Sequence, residues 1–260
     1  MDYNFHAHTA RCGHATGDME SYVLRAIEGG IRTMGFSDHI PLRFADGSES
    51  AHRVPLAEVR DYYEEACFLR EKYKDKIEIR IGFETEYYPA LFQEMIKDAV
   101  AFGAEYLILG QHFLGEENCG GSAAIRPNAS EADLVRYTSL LIEAAEYGVL
   151  TYIAHPDIFN FTGDPAIYAR EVRRLCEYCK AKALPLEINF LGIRTKRNYP
   201  NEAFWRIAGE VGVPVTFGND AHSTADAYDP DSLAVAENLV ARCGLNYIGQ
   251  PTLVDIRKFI

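Results

Sequence analysis

Tyr3-Asn4-Phe5-His6-Ala7-His8, at residues 3–8, is a short β-prone run that ends in two histidines spaced i, i+2. Side chains two apart on an extended strand point to the same face, so both imidazoles can reach one ion. Near the other end of the chain, Asp220-Ala221-His222 repeats that spacing. Between the two, short apolar, β-prone runs alternate with longer stretches of helical period, the pattern of repeated β/α units and a parallel sheet. Strands are expected over Tyr3–Phe5, Thr33–Ser37, Ile77–Phe83, Tyr106–Leu109, Leu150–Ala154, Pro185–Phe190 and Pro214–Phe217. Alternation this regular predicts an α/β barrel in one domain covering residues 1–260, with strand 7 returning beside strand 1. Pro55 is placed in the first turn of a helix, and Gly29-Gly30, Gly148 and Gly212 end theirs. Residues 40–54 and 116–128 are too polar and Gly-rich for helix or strand, and long enough to be functional loops.

Seven of the eight histidines fall just past a strand's C-terminal end or in the loop that follows. His6, His8 and His14 follow strand 1, His39 strand 2, His112 strand 4, His155 strand 5 and His222 strand 7. Glu84 after strand 3 and Asp220 after strand 7 share that position. In a parallel barrel these points converge on one face, where such folds carry their active sites. Imidazoles crowded there would repel if protonated and leave nitrogens unpaired if neutral, and divalent cations resolve both problems. The mixed N/O set suits two or three Zn, Mn or Fe ions, and not the all-oxygen cages of Ca or Mg. His52, in a polar stretch before Pro55, is read as a solvent-exposed loop residue.

With 260 residues, 48% of them hydrophobic and 25% charged, the chain can bury one large core. A formal charge of −12 argues against nucleic acid as a partner. A small phosphorylated substrate is compatible if metal ions reverse the local sign. No apolar signal segment precedes His6, and no run approaches the roughly 20 apolar residues of a membrane span. A cytoplasmic protein without a membrane partner is expected. The six cysteines are read as reduced thiols, and Cys176-x-x-Cys179, inside an amphipathic helical stretch with no second pair, as packing.

The histidine-bearing segments carry a family resemblance. His6-Ala7-His8-Thr9, Cys12-Gly13-His14-Ala15, Gly35-Phe36-Ser37-Asp38-His39, Gly82-Phe83-Glu84 and Gly110-Gln111-His112 occur in that order. Ile153-Ala154-His155-Pro156, Glu187-Ile188-Asn189, Gly192-Ile193-Arg194 and Gly218-Asn219-Asp220-Ala221-His222 follow. The chain resembles the PHP (polymerase and histidinol phosphatase) superfamily, and within it the bacterial histidinol-phosphate phosphatase branch. The resemblance implies a distorted seven-stranded (β/α)7 barrel with a trinuclear site at the C-terminal face. It implies that His6, His8, Glu84 and Asp220 hold one metal, that Glu84 bridges to a second held by His112 and His155, and that His14, His39 and His222 hold the third. Gln111 stands where a Ser is common, and Asn219 where Ser is frequent before Asp.

Metals about 3.5–4 Å apart can lower the pKa of a bridging water, orient a phosphoryl group and neutralise the leaving oxygen. A phosphoric monoester hydrolase is therefore expected, with metal-bound hydroxide as nucleophile, and the resemblance makes L-histidinol phosphate the first substrate choice. Another monoester, such as phosphotyrosine or a nucleotide end, is the alternative, and a metal-binding protein without catalysis is a third reading. For the phosphoryl oxygens the loop after strand 6 offers Arg194, Lys196 and Arg197, with Arg194 preferred and Arg197 second. Glu116, Glu117, Tyr87, Phe113 and Asp157 are candidates for receiving the cationic end of the substrate. Cys12, beside His14, is the rival nucleophile.

Overall fold

Eight parallel strands hydrogen-bond in chain order into one sheet. The structure is a computed structural model and describes residues 1–259. The strands are β1 (Tyr3–Asn4), β2 (Thr33–Phe36), β3 (Glu78–Thr85), β4 (Tyr106–Leu109), β5 (Leu150–Ile153), β6 (Leu186–Asn189), β7 (Pro214–Gly218) and β8 (Asn246–Tyr247). All seven expected strands are present, with ends displaced by no more than two residues. The eighth, β8, corrects the expected count of seven.

Between and after the strands run α1 (Met19–Glu28), α2 (Val59–Tyr73), α3 (Phe92–Ala101), α4 (Glu131–Ala145), α5 (Pro165–Ala181), α6 (Phe190–Arg194), α7 (Glu202–Val211) and α8 (Pro230–Cys243). Their starts are chemically marked. Asp18, Ser130, Asp164, Asn201 and Asp229 each accept a backbone N–H of the first turn, satisfying donors the helix itself cannot. Gly29 ends α1 and Gly212 ends α7 as expected, whereas Gly148 lies three residues beyond the end of α4. Pro55 precedes a 3-10 turn, Leu56–Glu58, that leads into α2. Cys176 and Cys179 are buried on α5 and no cysteine is disulfide-bonded among the described residues, so the C-x-x-C spacing is a packing feature. No helix of the described residues is long and apolar enough to cross a membrane.

The join between the two ends of the sheet positions the site. At the lower end of β7, Pro214 and Val215 pair with Asn246 and Tyr247 of β8. At the upper end the chain beyond β7 turns instead to the chain beyond β1. Ala7 bridges Ala221, the His8 N–H donates to the Ala221 carbonyl (2.9 Å) and the Ala221 N–H to the His6 carbonyl (3.2 Å). Lower down, side chains substitute for the missing ladder: the Phe217 N–H donates to Tyr3 Oη (3.2 Å) and the Asn219 N–H to Asn4 Oδ1 (3.0 Å). These pairings give the backbone donors of His8, Phe217, Asn219 and Ala221 partners across the seam.

Inside the curl, alternate residues of β1, β4 and β5 and their extensions meet. Tyr3, Phe5, Tyr106, Ile108, Tyr152 and Ala154 form one buried cluster, as the period of two requires. Tyr106 Oη lies 2.9 Å from the Phe5 carbonyl oxygen and 3.3 Å from that of Phe36, tying three strands from within. Replacing Tyr106 by Phe is expected to cost about 1 kcal/mol through the lost hydrogen bond, and Tyr106→Ala about 3–5 kcal/mol through the cavity it opens. Urea denaturation of both variants measures the two contributions separately; equal losses would show that packing of the ring contributes nothing.

Candidate metal centre

The nine side chains singled out from the sequence stand together at the C-terminal ends of the strands. They surround or floor a cavity of about 470 Å³, with His6 wholly buried beneath it. Glu84, near the end of β3, occupies the centre. Its Oε1 lies 3.0 Å from His155 Nε2 and 3.7 Å from His112 Nε2. Its Oε2 lies 3.0 Å from His39 Nδ1, 3.5 Å from His8 Nε2 and 3.7 Å from His6 Nε2. Asp220 Oδ1 faces His8 Nε2 (3.1 Å), His222 Nδ1 (3.3 Å) and His6 Nε2 (3.5 Å). The His14 ring stands 5.0 Å from that of His222 and 5.3 Å from that of His39, centroid to centroid.

Two of these residues hold backbones that L side chains avoid: φ is 31° at His155 and 46° at Asp220. Such positions cost on the order of 1–3 kcal/mol each and persist where the surroundings impose them. Here both lie at strand ends, where the chain must turn while aiming a side chain inward.

The donor set fits cations. His6 Nε2, His8 Nε2, Glu84 Oε2 and Asp220 Oδ1 are buried and have no hydrogen-bond partner among the described residues. Unpaired polar atoms in a low-dielectric interior are costly, and one cation bound by all four removes that cost. Three-residue sets of His6, His8 and Glu84, of His39, Glu84 and His112, and of His8, His39 and His222 each bring ligand atoms within 4.8 Å of one another. Glu84 presents its two oxygens to different histidines, the arrangement a bridging carboxylate needs. His39 belongs to two of the sets, so it stands between the positions the resemblance assigns to the second and third ions.

The acids and the rings set each other's protonation, with His6, His8 and His112 raised and His14 and His39 lowered. Burial works against ionised Glu84 and Asp220, yet the surrounding imidazoles hold both well below the usual carboxylate range. Burial also opposes a cationic His6, but Asp220, Glu187 and Glu84 outweigh it and raise its pKa to about 10. His39 is held well below the ordinary value, mainly by burial, and His14 is lowered for the same reason. The cluster thus combines ionised carboxylates with rings that differ in their readiness to bind a proton, and neutral imidazole is the form that binds metal.

Outer partners fix the rings. His6 Nδ1 lies 2.8 Å from Glu187 Oε1, while Glu187 Oε2 accepts the His155 N–H (3.1 Å) and Asn189 Nδ2 (2.9 Å). The same Asn189 nitrogen donates to Asp220 Oδ2 (3.0 Å). His8 Nδ1 lies 3.3 Å from Asp38 Oδ1, and Asp38 also accepts the N–H groups of Thr9 and His39 and the Thr9 hydroxyl. Carboxylates behind ligating histidines set tautomer and orientation. Asp38 and Glu187 lie in segments already prominent in the sequence, but only the fold reveals what they touch. Two glycines make room for the acids: a Cβ on Gly110 would sit 1.7 Å from Glu84 Oε1, and one on Gly218 would sit 1.7 Å from Glu187 Oε1.

Of the two arginines, only Arg197 lines the cavity. Arg194, the preferred phosphate contact from sequence, donates Nη1 to the Asn219 carbonyl (2.7 Å) and Nη2 to the Asp220 carbonyl (2.5 Å). It is further paired with Asp226 (3.1 Å) and Asp229 (3.4 Å), and it does not line the cavity. The short helix α6 turns it back toward β7, where it holds the loop carrying Asp220. Arg197 does line the cavity, its Nη1 on Tyr199 Oη (3.0 Å). Phe113 and Glu117 also line it, but Tyr87, Glu116 and Asp157 do not. Asp157 instead accepts the Asn201 N–H (2.6 Å) and the Trp205 indole N–H (2.8 Å), and burial pushes its carboxyl up to about 7. His52 is exposed, as read, yet its ring stands at the rim, 5.9 Å from that of His14. Cys12 is buried, its thiol donating to the Thr9 carbonyl (3.1 Å).

A family model described as the PHP domain matches residues 4–190. A probable histidinol-phosphatase of Deinococcus radiodurans is 27% identical over 231 residues, which cover 85% of this chain and 86% of that protein. A histidinol-phosphatase of Bacillus subtilis is 24% identical over 262 residues, covering 85% and 93%. Among solved structures, the histidinol phosphate phosphatase of Lactococcus lactis, complexed with zinc, L-histidinol and phosphate, superposes with a TM-score of 0.72. It covers 98% of this chain and 97% of that one at 18% identity, a likeness of fold.

Glu187→Gln keeps the shape behind His6 but removes the charge that orients it. Metal affinity is expected to fall about 10- to 100-fold, as for other outer partners of ligating histidines. Competition with a chromophoric chelator reads this directly, and an unchanged affinity would show that Glu187 has no hold on the site.

Proposed function

The chain belongs to the PHP family, and from that premise we propose that it is a metal-dependent phosphoric monoester hydrolase that converts L-histidinol phosphate to L-histidinol and phosphate. The observation that carries the proposal is the set of four buried, unpartnered atoms of His6, His8, Glu84 and Asp220 beneath an open cavity. Relatives named for histidinol-phosphatase activity, aligned over 85% of the chain, support the choice of substrate. In this reading residues 1–260 form one catalytic domain.

His6, His8, Glu84 and Asp220 would hold a first ion, Glu84 with His112 and His155 a second, and His14, His39 and His222 a third. Two or three divalent ions of the Zn, Mn or Fe type supply, when bound, an acidified water and positive charge against the phosphoryl oxygens. The protein's own part is to place them and the ester. Arg197, held by Tyr199, offers a guanidinium to a phosphoryl oxygen. Ile125, Ile158 and Leu191 on the cavity wall restrict water around the ester, and Phe113 and Glu117 face the imidazole and amine of the alcohol portion. Cys12, with its proton on the Thr9 carbonyl, takes no covalent role.

The metal-loaded enzyme is expected to show a higher kcat/KM for L-histidinol phosphate than for phosphotyrosine or a simple aryl phosphate. A ratio near one, or a preference for phosphotyrosine, would move the reading to another monoester. Arg197→Ala should keep its metals and lose about 2–4 kcal/mol of transition-state stabilisation, the magnitude of a deleted charge-assisted phosphate contact. Cys12→Ser should leave turnover in place. Loss of turnover with metal content intact would instead make the thiol the nucleophile.

A further inference from the structure

Arg53 closes the loop over residues 40–54 just ahead of α2, and its side chain is 4% exposed although it lines the central cavity. Its Nε donates to Glu117 Oε1 and its Nη2 to Glu86 Oε2, both at 2.8 Å. Glu86 in turn accepts the backbone N–H groups of His112 (2.8 Å) and Phe113 (2.6 Å) on its other oxygen. The guanidinium plane is therefore fixed from behind by one carboxylate past the end of β3 and another in the loop after β4. Nη1 is left over: buried, and without a hydrogen-bond partner among the described residues.

A clamp between two loops explains part of this arrangement. Asn118 and Asp46 are also hydrogen-bonded across the same two loops (3.2 Å). Yet the clamp uses only Nε and Nη2. Arginine cannot shed its proton, and a buried N–H left unpaired costs about 1–3 kcal/mol. A loop tie alone would need neither the burial nor the spare donor.

We propose that Arg53 is a phosphate-binding residue, its Nη1 donating to a phosphoryl oxygen of the substrate from the β2 side of the cavity while Arg197 does so from the β6 side. This rests on the phosphomonoesterase reading and extends it. A dianionic phosphoryl group presents three peripheral oxygens, more than one guanidinium and the ligand cluster need satisfy alone. Glu86 and Glu117 keep Arg53 rigid, so its donor is in place before the ester arrives and little ordering cost remains on binding. The same two carboxylates leave the wall without net positive charge in the absence of an anion, which restrains binding of anions that do not also engage the cluster.

The test uses inorganic phosphate as the probe, with affinity measured by calorimetry on full-length, metal-loaded protein. Metal content and thermal midpoint are recorded on the same samples. Arg53→Lys keeps a cation between the two carboxylates but lacks the third nitrogen, and Arg53→Ala removes the group. Both are expected to bind phosphate at least tenfold more weakly than wild type per bound metal, with Arg53→Lys retaining its metals and most of its thermal stability. Phosphate affinity within twofold of wild type in Arg53→Lys overturns the assignment, as does a loss that only parallels lost metal, and Arg53 is then a loop clamp. A wild-type protein that binds phosphate through Arg53 but hydrolyses no monoester would refute the activity and leave this assignment standing.

Discussion

Glu84 is a carboxylate sealed from water with imidazole nitrogens of five histidines within 4 Å of its two oxygens. An isolated buried carboxylate would take up a proton, and this one is held ionised by what surrounds it. Much of the architecture follows from keeping it there. Gly110 lacks a side chain because any Cβ would collide with the carboxylate. The His39–Glu84 bridge continues the β2–β3 pairing past the end of β2, so backbone and side chain are positioned by the same contact. His155 accepts a strained backbone to bring Nε2 within 3.0 Å of the acid.

The seam between β1 and β7 completes the set. Asp220 and His222 reach His6 and His8 because the chain beyond β7 leaves β8 and pairs with the chain beyond β1. Had β7 paired with β8 along its full length, these four side chains would have stood on separate strands with a gap between them. Tyr3 and Asn4 stabilise the junction by accepting backbone N–H groups of Phe217 and Asn219 through their side chains. Arg194 adds a further tie by gripping the carbonyls of Asn219 and Asp220. Its charge thus serves the loop that carries a proposed ligand, which is how a residue can belong to a site without touching what the site binds.

Strand positions and the nine clustered side chains were legible in the sequence because both depend on short-range rules. A strand in a parallel sheet is a compact apolar run, and a ligand pair at i, i+2 needs only an extended backbone to share a face. Residues whose role depends on the path of a loop were not legible in the same way. Arg194 and Arg197 are three apart, and nothing local says that α6 turns the first toward β7 and leaves the second at the cavity. Asp157 looked available beside His155-Pro156, but a long-range pairing with Trp205 and Asn201 occupies it. Arg53 lay in a stretch read only as polar loop, and its burial depends on Glu86 and Glu117 from two other strand ends. β8 has only two residues, neither of them buried, and unlike the equally short β1 it has no His-x-His beside it.

Charge balance links the acidic chain to the anionic substrate proposed for it. Glu84, Glu86, Glu117 and Asp220 line the cavity, against the permanent cations Arg53 and Arg197. Glu86 and Glu117 are already paired with Arg53. Arg53 offsets only one of those two charges, so negative charge remains there as well as on Glu84 and Asp220, the two acids whose free oxygens face the histidines. Left uncompensated, that charge would repel a phosphate dianion in a low-dielectric pocket far more than the overall charge of −12 does through screened solvent. Divalent ions held by the histidines would reverse the sign locally, because neutral imidazoles contribute ligands without contributing negative charge. A donor set built mainly from histidine would thus serve recognition of the proposed ester as well as ligation: seven carboxylates in the same places would bind metal while cancelling the positive field that an anionic ester requires.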